Sequence, residues 1–189
     1  MNMTTLGDVK IRTLALIEEL NKDKAALTDD PDIQGKLPFV IDHVQHELAR
    51  IKKIAEYVEL AVEAGQTVRF ADIAAECGKQ IYQLDRVTGP AHDMRANNTI
   101  LKFRETGTAA IDCFVYPTQI TETTPDSHVM ELSEDALNIL PYGVAADLLK
   151  SDVSTDYGKI YANRYEQMLQ RLDPRNAMPG ISIEGGVDF

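Results

Sequence analysis

Residues 133–172, SEDALNILPYGVAADLLKSDVSTDYGKIYANRYEQMLQRL, constrain the fold more than any other stretch of the chain. Ser133 is a good helix N-cap, and Glu134 and Asp135 put negative charge in the positive first turn. Leu137, Leu140, Val144, Leu148 and Leu149 follow as inward-facing positions, and Ala145 and Ala146 permit close approach of a second helix. Pro141 lies inside the pattern and is expected to kink or divide the helix. The residues around 151–156 read as a turn, with Ser154 as N-cap of a last helix. In that helix Tyr157, Tyr161 and Tyr165 recur every fourth residue, which is one helical face. Ile160, Tyr161, Tyr165, Met168, Leu169 and Leu172 form its buried side, and Asp173-Pro174 stops it. The expectation is a helical hairpin, 133–149 and 154–172, on which the rest of the chain packs.

Upstream, Thr5 and Asp8 resemble a capping box, and apolar residues from Leu6 to Leu20 predict a helix over 6–21. A second helix is expected over 38–54, with a short turn at 31–36 before it. Its stripe is Leu37, Val40, Ile41, Val44, Leu48 and Ile51. Pro38 is tolerated in a first turn, and Lys52 and Lys53 suit the last. After residue 54 the period changes to two. Strands are expected from Tyr57, at Val68, over 80–87, from Thr99 and from Ala110, with an interruption at 71–78. The glycine of Arg104-Glu-Thr-Gly-Thr is where a hairpin between the last two strands wants positive φ. This β-lobe, about 57–120, is thus an insertion among the helices. The predicted fold is α+β: mainly a helical bundle of about four helices with a small antiparallel lobe, one domain over 1–173, and an extended arm over 174–189.

The arm has two prolines, three glycines and no helical period. Alone it buries too little to order itself. It is either a frayed terminus or an arm that orders on a partner.

Net charge is −11, so the basic footprint of a general nucleic-acid binder is missing. The two cysteines, Cys77 and Cys113, suggest free thiols in a reducing compartment rather than a disulfide framework. No apolar run is long enough to span a bilayer. His43, His46 and Glu47 stand in the order H-x-x-H-E, not the H-E-x-x-H of a zinc helix, so no metal is expected. There is no phosphate-binding glycine motif, and no cofactor is expected. Cys77 with His92 is the one pair that could serve as nucleophile and base, the basis of an alternative reading as a small cytoplasmic enzyme.

Several phrases carry a resemblance. They are the D-D-x-D-I turn at 29–33, A-R-I-K-K-I at 49–54, I-Y-Q-L-D-R-V at 81–87, Y-P-T-Q-I-T at 116–121, M-E-L-S-E-D-A at 130–136, L-P-Y-G-V-A-A-D-L-L-K-S-D at 140–152, and R-Y-E-Q-M-L at 164–169. In this order they resemble the head-to-tail connector, or adaptor, proteins of tailed bacteriophages, over about residues 6–172. The resemblance implies a structural, non-enzymatic virion protein made in the host cytoplasm. Such proteins form a ring, commonly of twelve copies, beneath the portal protein. The ring extends the DNA channel without gripping the DNA and docks the next neck or tail protein. A different neck or tail-completion component is the neighbouring alternative. On this reading the candidate interface residues are Tyr157, Tyr161 and Tyr165 on the stem, and Arg175, Ile181, Ile183, Val187 and Phe189 on the arm.

Overall fold

The computed structural model describes residues 3–21, 27–97, 99–150 and 156–172. Helix α1 (Leu6–Leu16) starts with the expected capping box: the Asp8 N–H donates to Thr5 Oγ1 at 3.3 Å and the Thr5 N–H donates to Asp8 Oδ2 at 2.9 Å. It ends five residues before the expected 21. Glu18 takes the left-handed φ of 63°, and the Glu19 N–H closes back on the Leu14 carbonyl at 2.9 Å. This is the usual glycine-terminated closure, built here on a glutamate. In α1, the Thr13 hydroxyl is fully buried with no hydrogen-bond partner among the described residues. An unsatisfied buried hydroxyl costs about 1–3 kcal/mol. Thr13→Val, nearly the same shape, is therefore expected to raise the urea midpoint rather than lower it.

Helix α2 (Pro31–Ile51) begins seven residues before the expected 38. Asp30 caps it, its Oδ1 accepting from the N–H groups of Asp32 at 2.8 Å and Ile33 at 3.3 Å. Pro31 then occupies the first helical position, where a missing N–H is harmless. The helix runs through Pro38. The carbonyl that loses a donor there belongs to Gln34, an exposed residue, so water can serve it. The helix stops at Ile51 because Ile54 already belongs to the first strand.

The inserted lobe holds β1 (Ile54–Val62), β2 (Thr67–Arg69), α3 (Phe70–Cys77), β3 (Ile81–Thr88), β4 (His92–Arg95), β5 (Ile100–Phe103) and β6 (Gly107–Val115). Its strands form two antiparallel sheets, ordered β1-β6-β3 and β2-β5-β4. The expected hairpin between the strands around Arg104–Thr108 does not form: β5 and β6 lie in different sheets. Gly107 is not a positive-φ residue. It is needed for close approach, since a Cβ there would sit 2.8 Å from Pro90 Cγ. The interruption at 71–78 is a helix, α3. The Asp72 carboxylate accepts from the Arg69 N–H at 2.7 Å at its start, and Gly78 ends it at φ 69°.

The hairpin is present. Helix α4 (Glu134–Leu149) is buried on most sides and packs against α5 (Tyr157–Leu172), α2 and α1. Pro141 is buried within it and does not divide it. The expected Ser154 cap and the arm lie outside the described residues. The expectation of a mainly helical bundle of about four helices is corrected. The described residues form five helices and two three-stranded sheets, an α+β mix in which the lobe has a core of its own. Leu6, Leu14, Ile41, Leu48 and Leu140 anchor the helical core; Val68, Ile73, Leu101, Phe103 and Ile111 anchor the lobe. Ile54 packs against both. Among the described residues no helix is long and apolar enough to cross a membrane.

Candidate functional site

The lobe meets the helical core beside the C-terminal half of α2 and the residues before α4, and three polar contacts join them there. The first contact is a clasp. Asp42 Oδ1 accepts from the Ile120 N–H at 2.8 Å and from Gln45 Nε2 at 3.0 Å, and Gln45 Nε2 also donates to the Thr118 carbonyl at 3.0 Å. Gln45 is only 1% exposed. The clasp holds the chain leaving β6 against α2.

The second contact is an aromatic ladder. The Cα register of β3 on β6 shifts between Ile81 and Gln83, and Tyr82 is the extra residue. A bulge re-aims a side chain, and here the Tyr82 hydroxyl donates to the Ala49 carbonyl of α2 at 2.9 Å. Its ring lies 6.4 Å from Phe114 and 4.8 Å from Tyr116, and Tyr116 meets the edge of His46 at 4.7 Å. Cations at and just beyond the end of α2 cover the ladder. Lys53 Nζ stands 4.2 Å over the Phe114 ring, and Arg50 Nε donates to the Tyr116 hydroxyl at 2.7 Å. Burial is the main reason the Tyr82 hydroxyl titrates above its ordinary value.

The third contact is ionic. Lys79 Nζ lies 2.7 Å from Glu56 of β1 and 2.9 Å from Glu131, which precedes α4. The Glu56 hydrogen bond holds the ammonium above its ordinary value against the opposing effect of partial burial. Burial would raise Glu131, but hydrogen bonds from Thr118 and Lys79 outweigh it and hold the carboxyl low.

Two grooves flank this seam. One, of about 390 Å³, is lined by His43, His46, Glu47, Arg50 and Tyr116. The other, of about 310 Å³, lies where α2 and α5 end and α4 begins, lined by Lys52, Asp135, Asn138, Ile139, Met168, Arg171 and Leu172.

The tyrosine row divides. Tyr157 is 59% exposed. The half-buried Tyr161 donates its hydroxyl to the Leu16 carbonyl at the end of α1. The buried Tyr165 donates to Glu47 Oε2 at 2.8 Å. Tyr161 and Tyr165 thus seat the hairpin on α1 and α2, and of the row only Tyr157 is offered outward, together with the exposed Ile160. The expected burial of Ile160 is corrected: it lies on the outer face of α5. Arg175, Ile181, Ile183, Val187 and Phe189 lie outside the described residues.

Burial, then the Glu47 hydrogen bond, pushes the Tyr165 phenol far above its ordinary 10.0. A raised folded-state value gives stability that is complete below about pH 10 and lost as pH climbs above it. Each such tyrosine then steepens the loss by about 1.4 kcal/mol per pH unit. Tyr165→Phe is expected to flatten the decline of the urea midpoint between pH 10 and 11, while lowering stability at pH 7 by about 1–2 kcal/mol through the lost bond.

Cys77 and His92 share no hydrogen bond. Cys77 Sγ points to the carbonyls of Ala74 and Lys79, at 3.7 and 3.4 Å. The His92 ring bonds the Pro90 carbonyl at 3.0 Å and packs on Phe103 at 5.7 Å. Cys113 is buried, and burial, with help from nearby Cys77, pushes its thiol up to about 11. His43 and His46 line the first groove, where His46 Nδ1 faces Asp42 at 3.6 Å. Among the described residues no three His, Cys, Asp or Glu side chains gather as a metal-holding group. The bulge that turns Tyr82 onto α2, and the Asp42–Gln45 clasp, left no spacing signal in the sequence. What the arrangement can do is present shaped polypeptide surface: an aromatic and cationic seam, an exposed Tyr157–Ile160 patch, and a groove at the stem's end.

No family model matches the chain, and no curated protein matches it.

Proposed function

We propose that the chain is a structural subunit of the head-to-tail neck of a tailed bacteriophage. It acts by assembly rather than catalysis, joining copies of itself in a ring beneath the portal and docking the next neck or tail protein. The observation that carries this reading is the order of parts. Two helices come first, then an inserted lobe, then the Tyr116–Thr121 segment folded back on α2 by the Asp42–Gln45 clasp, then a helical hairpin. That is the order in which the connector-like phrases fall. The net charge of −11 supports it further, since an acidic lumen repels the phosphates of passing DNA. Tyr157 and Ile160, exposed on α5, are the residues offered for contact with a neighbouring copy.

The test is the mass of complexes formed when the purified chain is mixed with the portal ring of its phage. Uptake of many copies per portal supports the proposal. Absence of any species heavier than the free portal and the free chain, at every ratio and salt concentration tried, overturns it.

A further inference from the structure

We propose that the free edge of β1 pairs antiparallel with the same edge of a second copy of the chain, in the register that sets Val58 opposite Val58 and joins two three-stranded sheets into one. The inference does not depend on the neck reading.

Each sheet of the lobe ends in two outer strands, β1 and β3 in one, β2 and β4 in the other. Three of these edges are poor templates for a further strand. β2 has three residues, and β4 has four, among them a histidine, an aspartate and an arginine. β3 shifts register twice against β6, and a bulged edge bends out of line. β1 differs from all three. It pairs with β6 without a break from Ile54 to Val62. It contains no proline, glycine or lysine. Glu56, the one charge on its more buried side, is paired with Lys79 at 2.7 Å. Among the described residues, no backbone hydrogen bond joins residues 54–62 to any backbone but that of β6. A nine-residue strand with one edge in that state is a template for strand addition.

The residues of β1 select another β1 as the occupant. Residues directly opposite each other in an antiparallel pair lie on the same face of the sheet. With Val58 on the two-fold axis, all nine residues overlap. On the exposed face Ala55 then meets Ala61, and Tyr57, itself 57% exposed, meets Glu59 of the other copy. On the other face Ile54 meets Val62 and Glu56 meets Leu60. No glutamate opposes a glutamate. Just outside the strand, Lys53 comes opposite Glu63 at both ends of the pairing, and both residues are exposed. Opposite charges set across a strand pair are favourable and like charges unfavourable. The neighbouring registers lose this match. An axis at Glu59 sets Glu59 against itself, and an axis at Tyr57 shortens the overlap and moves Lys53 opposite Ala61. A two-fold contact uses the same surface on both copies and closes at two. It therefore belongs to the free chain, and it is distinct from the head-to-tail contacts that build a ring.

The test is sedimentation of the full chain over a concentration series, with amide hydrogen exchange measured at the lowest and highest concentrations. The expected result is a monomer–dimer equilibrium in which exchange slows within residues 54–62 as the dimer forms. Lys53→Glu sets like charges against each other at both ends and is expected to raise the dissociation constant about tenfold. Lys53→Glu/Glu63→Lys is expected to restore it. Within one copy the two positions stand at opposite ends of the strand, about 30 Å apart, so the rescue must act between copies. A chain that stays monomeric up to its solubility limit overturns the proposal. So does a dimer whose slowed amides lie outside 54–62, one that Lys53→Glu leaves unchanged, or one that the second substitution fails to rescue.

Discussion

Replacing Gly143 with valine is expected to lower the unfolding free energy by about 3 kcal/mol, the upper end of what overpacking a close contact costs. Gly143 lies in the middle of α4, on the side shared by two other helices. A Cβ added there would sit 2.7 Å from Tyr165 Cε2 and 2.8 Å from Val44 Cγ1. Neither neighbour can yield easily. Tyr165 is tied to Glu47 through its hydroxyl, and Val44 is 2% exposed in the helical core. Even alanine should destabilise, although a glycine-to-alanine change in a helix ordinarily gains up to about 1 kcal/mol. Gly35 of α2 is the control. Nothing lies within 4 Å of its added Cβ, so Gly35→Ala should gain stability where Gly143→Ala loses it. Urea unfolding of the three variants gives the comparison. Equal effects at the two glycines would show that α4 does not cross its neighbours as closely as described.

Asp42→Ala should cost a similar amount, about 3 kcal/mol, by a different route. The carboxylate accepts from the Ile120 N–H and from Gln45 Nε2, and both donors belong to residues that are 1% exposed. Each buried donor left without an acceptor costs about 1–3 kcal/mol. Asp42→Asn keeps an oxygen in place and should lose much less. Because the clasp holds the segment leaving the lobe, Asp42→Ala should also speed proteolysis around residues 117–125. A variant as resistant there as the parent would show that the segment is held by Ile120 packing alone. The clasp matters to the proposed function as well: it fixes the segment leaving the lobe to α2, so that the lobe and the helices present their surfaces together.

The periodic parts of this fold were legible in the sequence. The hairpin announced itself through an apolar run in α4 and the four-residue tyrosine spacing in α5, because both follow from burying a helix on one or more faces. The period-two strands of the lobe were legible for the same reason. What escaped was set by contacts between distant residues. Gly107 looked like a turn glycine and proved to be a seat for Pro90. Glu18 ends α1 in a conformation normally left to glycine, so nothing in residues 6–21 marked the stop. Helix α3 is only eight residues long and sits between strands, and β4, His-Asp-Met-Arg, has no apolar alternation to betray it. With α3 and a second sheet added, the chain is an α+β mix and not the helical bundle its hairpin suggested. The tyrosine row was readable as a face but not as a set of partners. Only the folded chain brings Leu16 to Tyr161 and Glu47 to Tyr165, across 145 and 118 residues.

The proposed function is that the chain works in a phage neck. It is tested most directly by electron microscopy of particles assembled in its absence. The account predicts heads that carry a portal but lack tails and fail to retain their DNA, with tails restored when the purified chain is added back. Tailed, DNA-filled particles formed without the chain would contradict it.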